Sequence, residues 1–337
     1  MRQGFLSSFD NREESSESYT SRGWAGKGDM LLALKTTIKE RFPALYSVAR
    51  KLSARREVNN PAATDAALQY LLDEVSDLRV VVRELAAQTG VTSAHIAQTR
   101  NSFSYQWAEI TEGKHLLGDP SFEQQMLELI EKYSDLPSDW FVDKSVLDAG
   151  CGNGRWSYQF VRLGAKVRAV DQSADGIANL QRLLGDEYDF EARQGDLLQG
   201  LPFKAQFDLV WCYGVAHHTG NTRLAVNNVA AAVKPGGRIF LMIYGEPRNE
   251  MEFGEINNYV SLRRETQFMS FEEKRDFLEA KFPTDLVHGY FDAISPAIND
   301  LHRFDEIEGW LRTAGFHNIR KTLESRNHHL VADRPAT

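Results

Sequence analysis

The chain has 337 residues, 42% of them hydrophobic and 26% charged, which is enough apolar side chain for one large α/β domain plus a smaller extension. Its formal net charge of −8 argues against nucleic acid as a partner, because a phosphate backbone is met by a basic face. Two cysteines, Cys151 and Cys212, provide no disulfide framework and point to a reducing, cytoplasmic setting.

Residues 1–28 are rich in Ser, Glu, Arg and Gly and lack apolar periodicity, the composition of a disordered tail. Residues 29–90 read as a helical extension. Leu31, Leu34, Ile38, Phe42, Leu45, Val48 and Leu52 recur at helical spacing beside a run of Lys and Arg. Such a stretch, over 30–56, is either a soluble helix with a charged face or a surface for peripheral membrane contact. After the turn Asn59-Asn60-Pro61, Leu68, Leu71, Val75, Leu78, Val82 and Leu85 follow one another in steps of three and four. That is the seam of a short coiled coil, under three heptads long, and it serves either homo-oligomer formation through 68–85 or packing on the chain's own domain. No apolar run is long enough to span a bilayer, and no signal peptide is legible.

Residues 91–140 form a helical entry. Phe103 and Trp107 stand four apart, and Ser121 and Gln124 fit a capping box. From Val146 the pattern becomes regular. Strands are expected over 146–149, Lys166–Asp171, 189–193, 207–212 and 238–244, with helices from Arg155, over Ala174–Leu184 and over 221–233. Pro235-Gly236-Gly237 reads as the turn before the fifth strand. Residues 245–303 read as a long irregular insertion with one helix over Phe271–Lys281. A final helix over 304–314 and two short strands, 317–324 and 328–332, close the chain. Strands alternating with helices specify an α/β fold, a doubly wound, mostly parallel sheet.

The stretch Val146-Leu147-Asp148-Ala149-Gly150-Cys151-Gly152-Asn153-Gly154 is a buried strand running into three alternating glycines. Strand, glycine turn and helix open a nucleotide-binding unit, because the backbone must turn tightly with no Cβ between it and a ligand. A dinucleotide fingerprint would place its third glycine at position 155, which is Arg. The pattern D-x-G-x-G-x-G at Asp148, Gly150, Gly152 and Gly154 instead resembles motif I of the class I S-adenosylmethionine-dependent methyltransferases. Tyr213 to His218, after the fourth strand, and Val233 to Arg238, before the fifth, resemble further segments of that family. The resemblance covers residues 140–245, reappears in outline over 300–333, and does not extend to residues 1–90.

The resemblance implies a seven-stranded Rossmann-like sheet with S-adenosylmethionine as cofactor, and a methyltransferase domain over 91–337. Its parts would be a helical lid (91–140) carrying Phe103 and Trp107, a cofactor core (141–244), an acceptor-binding insertion (245–303) and a closing helix and hairpin (304–337). It assigns the cofactor to Asp148, Gly150, Cys151, Gly152 and Gly154, to Asp171 and Gln172 at the ribose, to Asp196 and Leu197 at the adenine, and to Tyr213 on the pocket floor. Asp196 has a second reading as a turn cap, and Phe103 and Trp107 as core residues of one helix. Trp156, Trp211 and Tyr213 could face a sulfonium or fill the core.

His217 and His218 follow the fourth strand, at the crevice where ligands of open α/β sheets sit, and are the candidate catalytic bases; His288 and His302 are their rivals. No Cys/His cluster suggests a metal. Cys212-Tyr213-Gly214 lacks the Asn/Asp-Pro-Pro-aromatic signature of nucleic-acid amino-methylation. The expected activity is methyl transfer to a hydroxyl of a small molecule, sugar or glycan chosen by the polar insertion (Tyr244, Arg248, Asn257, Tyr259, Arg263, Tyr290). The alternatives are N- or C-methylation of a small metabolite, or a methyltransferase-like binding or scaffold subunit.

Overall fold

A computed structural model describes residues 93–110, 120–185, 187–203 and 206–336. The chain divides into two units, Met1–Val81 and Val82–Thr337, and every described residue belongs to the second. The tail (1–28), the helical extension (29–90), its basic stretch and its heptad seam lie outside the described residues.

The second unit is built on one seven-stranded sheet in the order β3-β2-β1-β4-β5-β7-β6. Its strands are β1 (Ser145–Ala149), β2 (Lys166–Asp171), β3 (Phe190–Gln194), β4 (Phe207–Tyr213), β5 (Val233–Ile243), β6 (His317–Leu323) and β7 (His328–Asp333). β1 to β5 are parallel, and the terminal hairpin joins β5 antiparallel through β7. β1 and β4 are apolar without alternation because helices cover both faces of the sheet's middle. One face packs α5 (Thr222–Ala231) and α9 (Phe304–Thr313) through Val226, Val229, Ile307 and Leu311. The other packs α2 (Pro120–Ser134) and α3 (Arg155–Arg162) through Met126, Ile130, Phe160 and Val161. β1 pairs with β2 on one side and β4 on the other. The connections therefore diverge at its carboxyl end and open a crevice there.

Most expected elements fall within a residue of their place, and two differ. The Pro235-Gly236-Gly237 turn lies inside β5, where the pairing slips between Phe207 and Leu209. A Cβ at Gly237 would meet the carbonyl oxygens of Phe207, Asp208 and Lys234 at 2.9–3.0 Å, so a turn sequence here serves a bulge that hugs the neighbouring strand. The insertion is largely helical. It carries α6 (Glu250–Glu265), α7 (Phe271–Lys281) and α8 (Thr284–Ile294), with the expected helix being α7. α6 opens on Asn249, whose side chain accepts from Glu252 N, and α7 on a capping box of Ser270 and Glu273. These helices share a small core of Leu262, Leu278, Val287, Phe291 and Ile294 with Ile110. Across their front runs α1 (Ser93–Glu109), the helical entry, and α4 (Ala174–Leu184) follows β2.

Candidate active site

The three glycines after β1 all have positive φ: 87° at Gly150, 52° at Gly152 and 87° at Gly154. A Cβ at Gly152 would lie 2.5 Å from the Trp107 ring, and one at Gly154 2.1 Å from Leu180. The turn is therefore conformationally reserved for glycine and sterically closed to anything larger. Gly150 and Cys151 donate to Val170 O at 2.7 and 3.1 Å, tying the loop to β2. Asp171 completes the tie, its Oδ2 accepting from Gly152 N at 2.9 Å and its Oδ1 from Ser173 N at 2.8 Å. Burial raises its pKa, and these backbone N–H groups oppose the rise.

The loop opens onto a narrow cavity of about 150 Å³. Gly150, Cys151, Asp171, Gln172, Asp196, Leu197, Tyr213 and His218 all line it. Asp148, Gly152, Gly154 and His217 do not. Asp148 lies beneath, buried and accepting from the Ser157 hydroxyl at 2.7 Å; burial pushes its pKa up to about 7. Asp196 caps a turn by accepting from Leu198 N at 2.9 Å, and with Gln172 it also accepts from Arg100 of α1. Cys151 and Cys212 are free and buried, and burial pushes Cys212 up to about 12. Trp156 lines the cavity, whereas Trp211 is a core residue stacked on Phe240 at 3.9 Å. Phe103, Gln106 and Trp107 of α1 lie across the opening.

The two histidines diverge. His217 is fully buried, stacked on Tyr244 at 3.9 Å, with its Nδ1 accepting from Tyr244 N at 3.4 Å. His218 reaches the cavity, with Phe103 edge-on at 4.8 Å. Its Nδ1 lies 2.9 Å from Ile298 O, and a carbonyl only accepts, so Nδ1 carries the proton and Nε2 keeps its lone pair. Nε2 is 3.9 Å from Asp292 Oδ1, while Asp292 Oδ2 accepts from Tyr244 OH at 2.7 Å. Burial lowers the His218 pKa, partly offset by Asp292, so the imidazole is neutral near pH 7. Of the rivals, His288 lines the same cavity and is hydrogen-bonded to Gln106; burial pushes its pKa down to about 4. His302 lies elsewhere, on Thr222 at 2.9 Å.

Residues 146–237 match a family model described as a methyltransferase domain. The chain carries a class I S-adenosylmethionine-dependent methyltransferase domain. A ubiquinone biosynthesis O-methyltransferase from Azoarcus sp. (strain BH72) is 33% identical over 135 residues, covering 37% of this chain and 56% of that protein. Another, from Xylella fastidiosa (strain 9a5c), is 32% identical over 178 residues, covering 51% and 60%. The chain thus spans less than two thirds of either relative. Among solved structures, magnesium protoporphyrin IX methyltransferase from Synechocystis PCC 6803 with bound S-adenosylmethionine aligns at 17% identity, covering 73% of this chain and 99% of that one, with a TM-score of 0.45.

Beyond the matched residues, the second unit holds another cavity of about 890 Å³, walled mainly by α6, α8 and residues 297–301. It shares Arg155 and His288 with the first, so the two meet at those residues. Tyr244, Tyr259, Arg263 and Tyr290, named from sequence, line it; Arg248 and Asn257 do not, and Arg248 is paired with Glu252 at 2.8 Å. Asp292, Ile298 and Gln106 gave no signal in the sequence. Each lies on an insertion or entry segment without a motif, and their proximity to His218 comes from tertiary packing alone.

Proposed function

We propose that this chain is an S-adenosylmethionine-dependent O-methyltransferase acting on a hydroxyl of a small-molecule acceptor. The single observation that carries the reading is His218, a neutral imidazole lining the narrower cavity with an Nε2 lone pair that no hydrogen bond uses. The cofactor suits the residues around the narrower cavity: a glycine turn that no Cβ could enter, an Asp171 carboxylate and a wall of Trp156 and Tyr213. At about 150 Å³ that cavity is below the ~300–1,000 Å³ of ordinary small-molecule sites, and Phe103, Gln106 and Trp107 of α1 form part of its wall.

When bound, the cofactor supplies an electrophilic methyl on sulfonium, which an oxygen can displace in line. The protein's task is alignment and proton removal. Asp171, which accepts from the backbone N–H groups of Gly152 and Ser173, also lines the cavity and can accept from ribose hydroxyls. His218 Nε2 accepts the acceptor's hydroxyl proton as that oxygen bonds carbon. Asp292 faces the imidazolium so formed and stabilises it, and Tyr244 holds Asp292 in place.

Calorimetry should find binding of S-adenosylmethionine or its demethylated product and none of NAD; binding of NAD alone would overturn the cofactor reading. His218→Gln should lower turnover ~10²-fold or more with cofactor affinity unchanged. Near-normal turnover would mean that another group takes the proton.

A further inference from the structure

The larger cavity has a chemistry of its own. Three guanidiniums and three carboxylates line it: Arg155, Arg263 and Arg326 against Glu255, Asp285 and Asp300. Arg263 is committed to the carbonyls of Ala293 and Pro296 at 2.7–3.0 Å. A phosphorylated ligand would meet the carboxylates, and a bare hydrocarbon would leave both signs of charge unsolvated.

The wall carries donors and acceptors in alternation. Tyr259 OH and Arg326 Nη2 both donate to Oε1 of Glu255, at 2.9 and 3.4 Å, leaving Oε2 to a ligand. Asn299 spends its amide N–H on Ala293 O at 3.0 Å, while its Oδ1 has no partner although it is buried. Arg326, whose side chain is only 10% exposed, has Nη1 on Gly245 O at 2.8 Å and a buried Nε with no partner. A hydroxyl both donates and accepts, so a ligand with several hydroxyls suits a lining that mixes carboxylate, amide, guanidinium and phenol groups. Tyr259 and Tyr290 add aromatic surface at 5.8 Å, and Tyr290 is held by stacking on Phe282 at 3.9 Å. An aromatic π-face is electron-rich and suits the weakly positive C–H face of a pyranose.

We propose, building on the methyl-transfer reading, that the acceptor is a neutral saccharide whose sugar ring lies between Glu255, Asn299, Arg326 and the Tyr259–Tyr290 wall. One ring hydroxyl then reaches His218. At about 890 Å³ the cavity is near the upper end of small-molecule sites, room for more than one sugar unit. The balanced step replaces the sugar O–H bond with O–CH3, breaks the donor's C–S bond to give a neutral thioether, and places the proton on His218.

The test uses the full chain, methyl-labelled S-adenosylmethionine, and an extract of the source cells with this gene deleted, so that the natural acceptor accumulates unmethylated. Acid hydrolysis of the products should release the label as an O-methyl monosaccharide. Asn299→Leu and Glu255→Gln should each cut that label at least tenfold with cofactor affinity unchanged. Label recovered as an acid-stable aromatic ether, in protein, or on nitrogen would overturn the saccharide. No label in any fraction, from protein that binds the cofactor by calorimetry, would remove the transfer reading beneath it.

Discussion

His217 and His218 are chain neighbours with opposite surroundings. His217 is locked in the core against Tyr244, whereas His218 lines the cavity with one nitrogen fixed by Ile298 and the other, without a hydrogen-bond partner, beside Asp292. His217→Phe, which keeps the stack and removes a buried, unpartnered Nε2, should leave turnover near the parent's; a loss as large as that of His218→Gln would return His217 to the chemistry. The pH profile offers a separate check. Burial and Arg263 lower the His218 pKa, while Asp292, the Ile298 carbonyl and Asp300 raise it. The rate should therefore stay on its plateau below the ordinary histidine pKa of ~6.5 and fall only as pH drops through the lowered value. Asp292→Asn removes one supporting charge and should move that acid limb to still lower pH. A limb that does not move would show that Asp292 does not face the base.

The elements of the core were legible because strand and helix periods alternate there, and because a glycine turn, a carboxylate-ended β2 and a buried β4 each follow from local chemistry. β2 and α4 match their expected bounds, Lys166–Asp171 and Ala174–Leu184. The insertion was not legible, apart from α7. α6 and α7 carry charged residues round most of their girth and bury only a few side chains, such as Leu262 and Leu278. On α6 the apolar stripe is too thin to register, and in both helices capping with tertiary contact does the rest. Because α7 relies on its cap, Ser270→Ala should cost about 1 kcal/mol in urea unfolding, since the Glu273 N–H loses its Oγ acceptor while the Glu273 carboxylate keeps the residue-270 N–H. The unequal legibility of the site has the same root. Asp171 and Asp196 end or follow strands with a pattern, whereas Asp292 is one polar residue on a helix that gave no pattern.

At the scale of the whole molecule, burial lowers the pKa of His217 and His218 and pushes those of His288, His328 and His329 to about 4. A base with a depressed pKa in the fold contributes stability above its unfolded pKa, ~6.5, and loses it as pH falls toward the folded value. The melting temperature should therefore fall steadily from pH 6.5 to 4, and His328→Gln should flatten that slope; a flat melting profile over this range would contradict the burial.

One further consequence comes from α1. Its Arg100 holds Gln172 and Asp196, its Trp107 lies on Gly152, and its Thr99 accepts from the amide of Ile298, whose carbonyl fixes His218. The helix that walls the donor cavity is thus the helix that supports the base. Donor binding and the support of the base should then be coupled through this helix. S-adenosylhomocysteine should slow hydrogen exchange at the Ile298 amide, and Thr99→Val should abolish that slowing. If the amide is indifferent to the ligand, the two halves of the site are armed independently.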